Sequence, residues 1–329
     1  MGGPDTRHLT PVLVGPTAVG KTAVAVALAA LAPVTVVSAD ARQVYRGLDV
    51  GTAKPDGALR ARVPHVGLDL IDPGERYSAG RFARDAAEWL GEIWAAGRQP
   101  LIVGGTGFYV RALADGLFRE PPLDPGRRER LRAWTGGLLL PALARWASRL
   151  DMRYQGGGRQ RAARAVEVAL LTGRALSWWQ REARETGVMR AWYIHLTLPR
   201  EALRSRIAHR VDAMLAAGFV DEVRSVLARG VPSDAPGLDG VGYREVVAML
   251  EGRLPAGDLR EAIATATRRY AKRQETWFRN QLGARDAVRG EREVWTLDAT
   301  EKPEMLAGKI LERWRGMTAH RAPRTAHSS

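Results

Sequence analysis

Eight consecutive residues, Gly15-Pro16-Thr17-Ala18-Val19-Gly20-Lys21-Thr22, constrain this chain more than any other feature. They have the spacing of a Walker A motif, follow an apolar run that begins at Val12, and lead directly into an alanine- and valine-rich stretch. A strand, a glycine-bearing turn and a helix N-terminus in that order make backbone N–H groups converge on phosphate oxygens. Such a P-loop would hold a pyrophosphate group with Gly15, Thr17, Ala18, Val19, Gly20, Lys21 and Thr22. Lys21 supplies a point charge and Thr22 a hydroxyl for magnesium. Which phosphate compound is held stays open at this point, because kinases, NTPases and other transferases share the loop.

Further β-rich runs at Val34–Ser38, Leu101–Val103, Trp192–Leu198 and Val294–Leu297 alternate with helical patterns, which predicts an α/β fold with a parallel sheet flanked by helices. Between Arg119 and Arg190 the strand signals stop, while Pro121, Pro122, Pro125 and Gly156 to Gly158 punctuate a helical pattern. An inserted all-helical domain is therefore expected at 118–190, within a discontinuous P-loop core domain formed by 1–117 and 191–315. Helices are expected over Arg200–Arg229, Tyr243–Glu251 and Leu259–Gln281. The first ten residues read as a leader and 316–329 as a disordered polar tail.

Composition removes several chemistries. The chain has no cysteine, so disulfides, thiolate nucleophiles, iron–sulfur clusters and cysteine-ligated zinc are excluded, and a reducing cytoplasm fits. Its longest apolar stretch, Ala23 to Val37, is interrupted by Pro33 and is too short to span a membrane. Met1, Gly2 and Thr6 satisfy a myristoylation pattern without a supporting polybasic stretch. The formal net charge of +14 points to a polyanionic partner. Only five of the fifty basic residues are lysine, as a compositional preference for arginine would also produce. Yet Phe118 to Arg190 holds fifteen basic and seven acidic residues, so the excess is concentrated in the insertion.

Three more segments fall where an open parallel sheet binds ligands: Asp40-Ala41-Arg42-Gln43-Val44-Tyr45 with Gly51-Thr52-Ala53-Lys54-Pro55, then Gly104-Gly105-Thr106-Gly107-Phe108-Tyr109. A fourth, Lys272-Arg273-Gln274-Glu275-Thr276-Trp277-Phe278-Arg279, closes the series. Together with the P-loop, and in this order, they resemble the tRNA dimethylallyltransferases, also called tRNA isopentenyltransferases, from about Pro11 to Asn280.

The resemblance implies a prenyltransferase whose P-loop holds the pyrophosphate of dimethylallyl pyrophosphate. The acceptor is the exocyclic amine of the adenosine beside the anticodon of tRNA. It implies Asp40 as general base, Thr106 beside the base and the acceptor, and Lys21, Thr22 and Arg210 acting on the pyrophosphate. Arg206 lies four residues before Arg210 on the same helix face and competes for that role. Contacts to the tRNA anticodon stem-loop are implied for Asp40, Ala41, Arg42, Gln43, Thr106, Gln160, Arg161 and Arg164. They are implied also for Gly242, Tyr243, Arg244, Lys272, Arg273, Gln274, Trp277 and Arg279. A cytoplasmic monomer with no membrane association, using magnesium as cofactor, completes the expectation.

The chemistry is consistent with that inventory. A leaving pyrophosphate needs its growing charge neutralised, and an adenine amine must lose a proton as the carbon–nitrogen bond forms. For Asp40 the alternative is a loop cap or a magnesium ligand; for Trp277, Phe278, Trp178 and Trp179 it is ordinary packing. Two departures stand out: Ala41 replaces the family serine, and Gly157-Gly158 replaces Asn-Asp ahead of a basic helix. Glycine for an aspartate N-cap costs only about a few tenths of a kcal/mol. Competing functions are a P-loop small-molecule kinase, a transferase acting on free adenine nucleotides, and a nucleotide-sensing RNA-binding switch. Zinc deamination is excluded by the missing cysteines and the lack of an H-x-E element.

Overall fold

The computed structural model describes residues 8–119, 123–282 and 293–319. The leader positions 1–7, Pro121, Pro122 and the last ten residues of the tail lie outside the described residues. The chain divides into two compact units, one comprising Met1–Ala114 with Met189–Ser329 and the other Asp115–Val188.

The larger unit is built on a sheet of six strands. These are β1 (Leu9–Val14), β2 (Val34–Ser38), β3 (His65–Val66), β4 (Gln99–Gly104), β5 (Arg190–Thr197) and β6 (Glu293–Asp298), in the spatial order β3-β2-β4-β1-β5-β6. Every pairing is parallel, with Val14 opposite Gly104 on one side and His195 on the other. The two longest apolar runs are buried throughout, as strands covered on both faces must be: Thr10 to Val14 in β1 and all of β2. Because β1 lies between β4 and β5, the loops leaving β1, β2 and β4 open side by side at the carboxyl end of the sheet.

Helices α1 (Lys21–Ala29), α2 (Gly57–Arg62), α3 (Ala79–Ala95) and α4 (Gly107–Asp115) connect the first four strands or follow them. After β5 come α9 (Arg200–Ala216), α10 (Phe219–Ala228), α11 (Tyr243–Leu250) and α12 (Leu259–Leu282), then β6 and α13 (Pro303–Ala319). A cluster including Val44, Leu48, Ile71, Phe219, Tyr243, Val246 and Ile263 joins the helices after β5 to the loop that follows β2.

Three sequence expectations are corrected here, and one strand was not anticipated. The leader expected over the first ten residues gives way to β1 at Leu9. The helix expected over Arg200–Arg229 breaks at Gly218, whose φ of 87° is left-handed and ends one helix while capping the next. The disordered tail expected from Gly316 is contradicted at its start, where α13 continues through Gly316 to Ala319. Strand β3 has only two residues, and no alternation of two residues could announce it.

The smaller unit contains α5 (Pro125–Gly137), α6 (Leu140–Leu150), α7 (Arg159–Thr172) and α8 (Leu176–Glu182) among its described residues. Leu143, Ala147, Ala162, Ala165, Val166, Val168 and Leu176 form its core. Asp124 caps α5 by accepting the Arg127 N–H, with Pro125 at the first helical position. Asp151 is buried and accepts from both the N–H and the hydroxyl of Ser177, at 2.9 and 2.6 Å. Buried Glu167 pairs with Arg128 and with Arg164, the latter at 3.1 Å. Gly158 caps α7 with no side-chain bond, and a Cβ there would meet open space. No helix among the described residues is long and apolar enough to cross a membrane.

Candidate active site

The Gly15–Thr22 loop links β1 to α1, and its shape explains its glycines. Gly15 has φ 147°, and a Cβ there would stand 2.5 Å from the Leu196 carbonyl oxygen on β5. Gly20, at φ 109°, caps α1 in a left-handed conformation, and Ala18 shares that region at φ 64°. Lys21 turns back into the loop, its Nζ donating to the carbonyls of Gly15 at 3.0 Å and Pro16 at 2.8 Å. Arg206 holds the loop from outside, donating to Val19 O at 2.9 Å and to Ala299 O at 3.0 Å. With its guanidinium on two backbone carbonyls, Arg206 acts as a brace.

The loop after β2 presents Asp40. One of its carboxylate oxygens accepts the Arg42 N–H at 2.8 Å, closing an Asx turn. Thr106 Oγ1 accepts the Ala41 N–H at 3.0 Å, so the loop after β4 fixes the backbone beside Asp40. Gln43 accepts from Ser38 Oγ at 2.8 Å and donates to Thr52 O at 3.3 Å, while Arg42 donates to Pro236 O at 2.8 Å. Glu222 holds the next segment: its carboxylate accepts the N–H groups of Asp49, Val50 and Gly51 at 2.7, 2.7 and 3.2 Å, and the Tyr243 hydroxyl at 2.7 Å. Buried Lys54 completes that segment through Tyr45 O and Asp69, both at 2.7 Å, and Asp49.

Two adjoining cavities open between these loops, of about 370 and 360 Å³. Thr17, Asp40, Thr52, Arg210 and Tyr270 line both. The first is walled by the Gly15–Thr22 loop, including Lys21 and Thr22. The second adds Ala41, Arg42, Thr106, Met214, Phe219, Val241 and Ile263 and is more apolar. Burial pushes the Lys21 ammonium down to about 8, with Asp40 opposing and Arg210 reinforcing that shift. Burial likewise lowers Arg210, against the pull of Asp40. Tyr270 is raised to about 12, first by burial and then by Asp40. Three cations, Lys21, Arg206 and Arg210, and one carboxylate, Asp40, thus line the first cavity, where their interactions are stronger than in water.

Helix α12 closes the site from one face. Tyr270, Gln274 and Trp277 recur at helical spacing and meet the loop after β4 in turn. Tyr270 lines the second cavity together with Thr106. Gln274 reaches Gly105, and the Trp277 ring lies where a Cβ on Gly107 would come within 2.1 Å of it. A Cβ on Gly104 would come equally close to Ala39 O. None of these three glycines has positive φ. The tight turn expected at Gly104 to Gly107 thus requires glycine for close approach, not for backbone handedness.

The structure therefore brings Lys21, Thr22, Asp40, Thr106 and Arg210 onto one pair of cavities, with Thr17, Ala18, Gly20, Ala41, Arg42, Gln43, Gly242, Arg244 and Arg273 lining one or other. Lys272 and Arg279 are exposed on α12. Gln160 and Arg161 are exposed on α7 of the smaller unit, whereas Arg164 is half-buried against Glu167. Two residues expected to contact RNA are buried. Tyr243 is 1% exposed, packed on Phe219, with its hydroxyl on Glu222; Gln274 is 6% exposed, with both amide ends on protein backbone. Tyr270 and Glu222 were missed. Tyr270 precedes a recognisable motif and carried a weak signal, whereas the long-range partners of Glu222 left none.

Comparison with known proteins agrees with this arrangement. The IPP transferase family profile matches residues 43–281, and that of isopentenyl transferases matches 10–61. The tRNA dimethylallyltransferase of Chromohalobacter salexigens is 44% identical over 85% of this chain and 92% of its own length. That of Alkalilimnicola ehrlichii is 45% identical over 82% and 87%. The crystal structure of the tRNA isopentenylpyrophosphate transferase of Bacillus halodurans superposes with a TM-score of 0.67 at 31% identity, covering 96% of this chain and all of that one. A eukaryotic dimethylallyltransferase acting on tRNA shares the fold at a TM-score of 0.79. With its sheet, its loops and most of its length matched in this way, the chain belongs to the tRNA dimethylallyltransferase family of enzymes, the IPP transferases.

Proposed function

We propose that this enzyme transfers the dimethylallyl group of dimethylallyl pyrophosphate to the exocyclic amine of the adenosine adjacent to the anticodon in tRNA, releasing pyrophosphate. The observation that carries this reading is the pair of adjoining cavities. One is walled by an anion-cradling loop and the other by Thr106 and apolar side chains, with Asp40 and Arg210 on their common wall.

In the first cavity the P-loop amides, Lys21 and Arg210 face the diphosphate and gain most as its charge grows. The bond from the allylic carbon to the bridging oxygen breaks as the amine nitrogen bonds that carbon, and the amine proton passes to Asp40. Thr106 holds the backbone beside Asp40 and thereby aims it. Ala41 offers no side-chain hydroxyl, but its N–H already has a partner in Thr106. No protein nucleophile is needed.

Thr22 and Asp40 line the first cavity with oxygen donors, which suit magnesium. No group of three or more His, Asp or Glu side chains among the described residues could hold a metal ion. Magnesium would therefore be shared between these side chains and the diphosphate, and would neutralise charge on the leaving group. For RNA, exposed Arg244 and Arg273 line the second cavity, Lys272 and Arg279 are exposed elsewhere on α12, and Gln160 and Arg161 lie on the basic smaller unit. A cytoplasmic monomer is the state proposed for the enzyme.

A choice of acceptor tests this reading. With labelled dimethylallyl pyrophosphate and magnesium, label is expected in an anticodon stem-loop carrying the target adenosine and not in free AMP. The kcat/KM for the stem-loop should fall steeply with salt, because several phosphate contacts release counterions. Preferential labelling of AMP, with a flat salt response, would contradict the tRNA reading and favour transfer to free nucleotides.

A further inference from the structure

Gln274 lies in the middle of α12 and is 6% exposed. Its Oε1 accepts the Thr17 N–H at 2.8 Å, and its Nε2 donates to the Gly105 carbonyl at 2.9 Å. Thr17 belongs to the loop after β1 and Gly105 to the loop after β4, so one side chain joins the two walls of the site. The amide orientation is dictated by its partners, since one end meets a donor and the other an acceptor. Gly105 makes this reach possible: a Cβ there would stand 2.1 Å from Nε2. Four residues earlier Tyr270 lines both cavities, and Arg273 beside it lines the second.

We propose that Gln274 is a positioning residue that ties the diphosphate loop to the acceptor-side loop and makes no contact with RNA. The inference rests on the transfer reaction proposed above. Thr106 orients the Asp40 loop and the Gly15–Thr22 loop surrounds the diphosphate, so the distance between proton acceptor and leaving group depends on how these loops are spaced. A displacement of about 1 Å in such a geometry costs about a hundredfold in rate. No single-purpose group replaces the carboxamide. Methionine fills its volume but bonds neither loop. Glutamate can still accept from Thr17, but it opposes the Gly105 carbonyl with like partial charge and brings a negative charge towards the diphosphate.

The test uses the full chain with dimethylallyl pyrophosphate, magnesium and an anticodon stem-loop, and measures kcat, donor KM and stem-loop Kd separately. Gln274→Met is expected to lower kcat by about 30- to 100-fold, with stem-loop Kd within about threefold of wild type. Gln274→Glu is expected to lower kcat similarly and also to raise donor KM. Gly105→Ala crowds the same amide from its other side. It should reproduce the loss of kcat and add little to Gln274→Met, since both remove one link.

Stem-loop Kd weakening in proportion to the loss of kcat would make Gln274 an RNA contact and overturn the proposal, as would unchanged kcat. Should Gln274→Met fail to fold, Gln274→Glu and Gly105→Ala carry the same test. The link also has a readout without turnover: inorganic pyrophosphate should bind Gln274→Glu at least about tenfold more weakly than wild type. That result in an enzyme that alkylates no RNA would sink the transfer reading and support the link; equal pyrophosphate affinity would overturn the link.

Discussion

Asp40→Asn is expected to lower turnover by about a thousandfold while leaving stem-loop Kd within about threefold. Asparagine keeps the shape of the side chain, and its amide oxygen can still accept the Arg42 N–H that closes the turn at 2.8 Å. The Thr106 bond to the Ala41 backbone is likewise untouched. What asparagine cannot do is take the proton of the attacking amine. Asp40→Ala would remove both turn and base, so it should add a loss of RNA affinity to the loss of rate. Equal losses of turnover and RNA affinity in Asp40→Asn would leave Asp40 a structural residue. The Asx turn gives that alternative physical substance, because one carboxylate oxygen is already engaged.

Lys21→Met is expected to reduce kcat/KM for the donor by about a hundred- to a thousandfold, yet leave the thermal midpoint no lower at pH 7. The two effects separate because burial holds the lysine down to about 8. A lysine with a lowered folded pKa costs stability while charged. That cost is fully present below about 8 and is relieved as pH rises towards the unfolded value. Removing the ammonium removes the cost along with the charge that faces the diphosphate. The same shift predicts a basic limb near pH 8 in donor kcat/KM, where the free enzyme loses its ammonium. Lys21→Arg, if active, should carry that limb to higher pH, because guanidinium stays protonated. A limb unmoved by Lys21→Arg would assign it to another group.

The parallel sheet and its ligand edge were legible because each long strand is a short, β-rich and mainly apolar run bounded by turn residues. The site loops were legible where chemistry demands particular residues at fixed spacing: glycines, a lysine and a threonine around an anion, an aspartate after the second strand. What the sequence hid is long-range. Gln274 sits in the basic KRQ segment, and nothing local tells its buried amide from the exposed Lys272 and Arg273 beside it. Tyr243 likewise follows a glycine-rich turn that reads as a surface loop, but its ring fills the core against Phe219. Glu222 has partners some 170 residues away in the chain, and only the fold brings them together. Arg206 and Arg210 share one helix face in the sequence, and both line the first cavity; only the fold shows that Arg206 is also tied to Val19 and Ala299 and that Arg210 alone reaches the second cavity.

The central claim is that the Gly15–Thr22 cradle receives a departing diphosphate whose allylic partner ends on an RNA amine. It is tested most directly by counting both products of one incubation that contains dimethylallyl pyrophosphate, magnesium and stem-loop RNA but no nucleoside triphosphate. Pyrophosphate released and dimethylallyl-adenosine found by mass spectrometry of the digested RNA should rise together, one for one. Pyrophosphate without modified adenosine, or modification that requires ATP, would contradict the account.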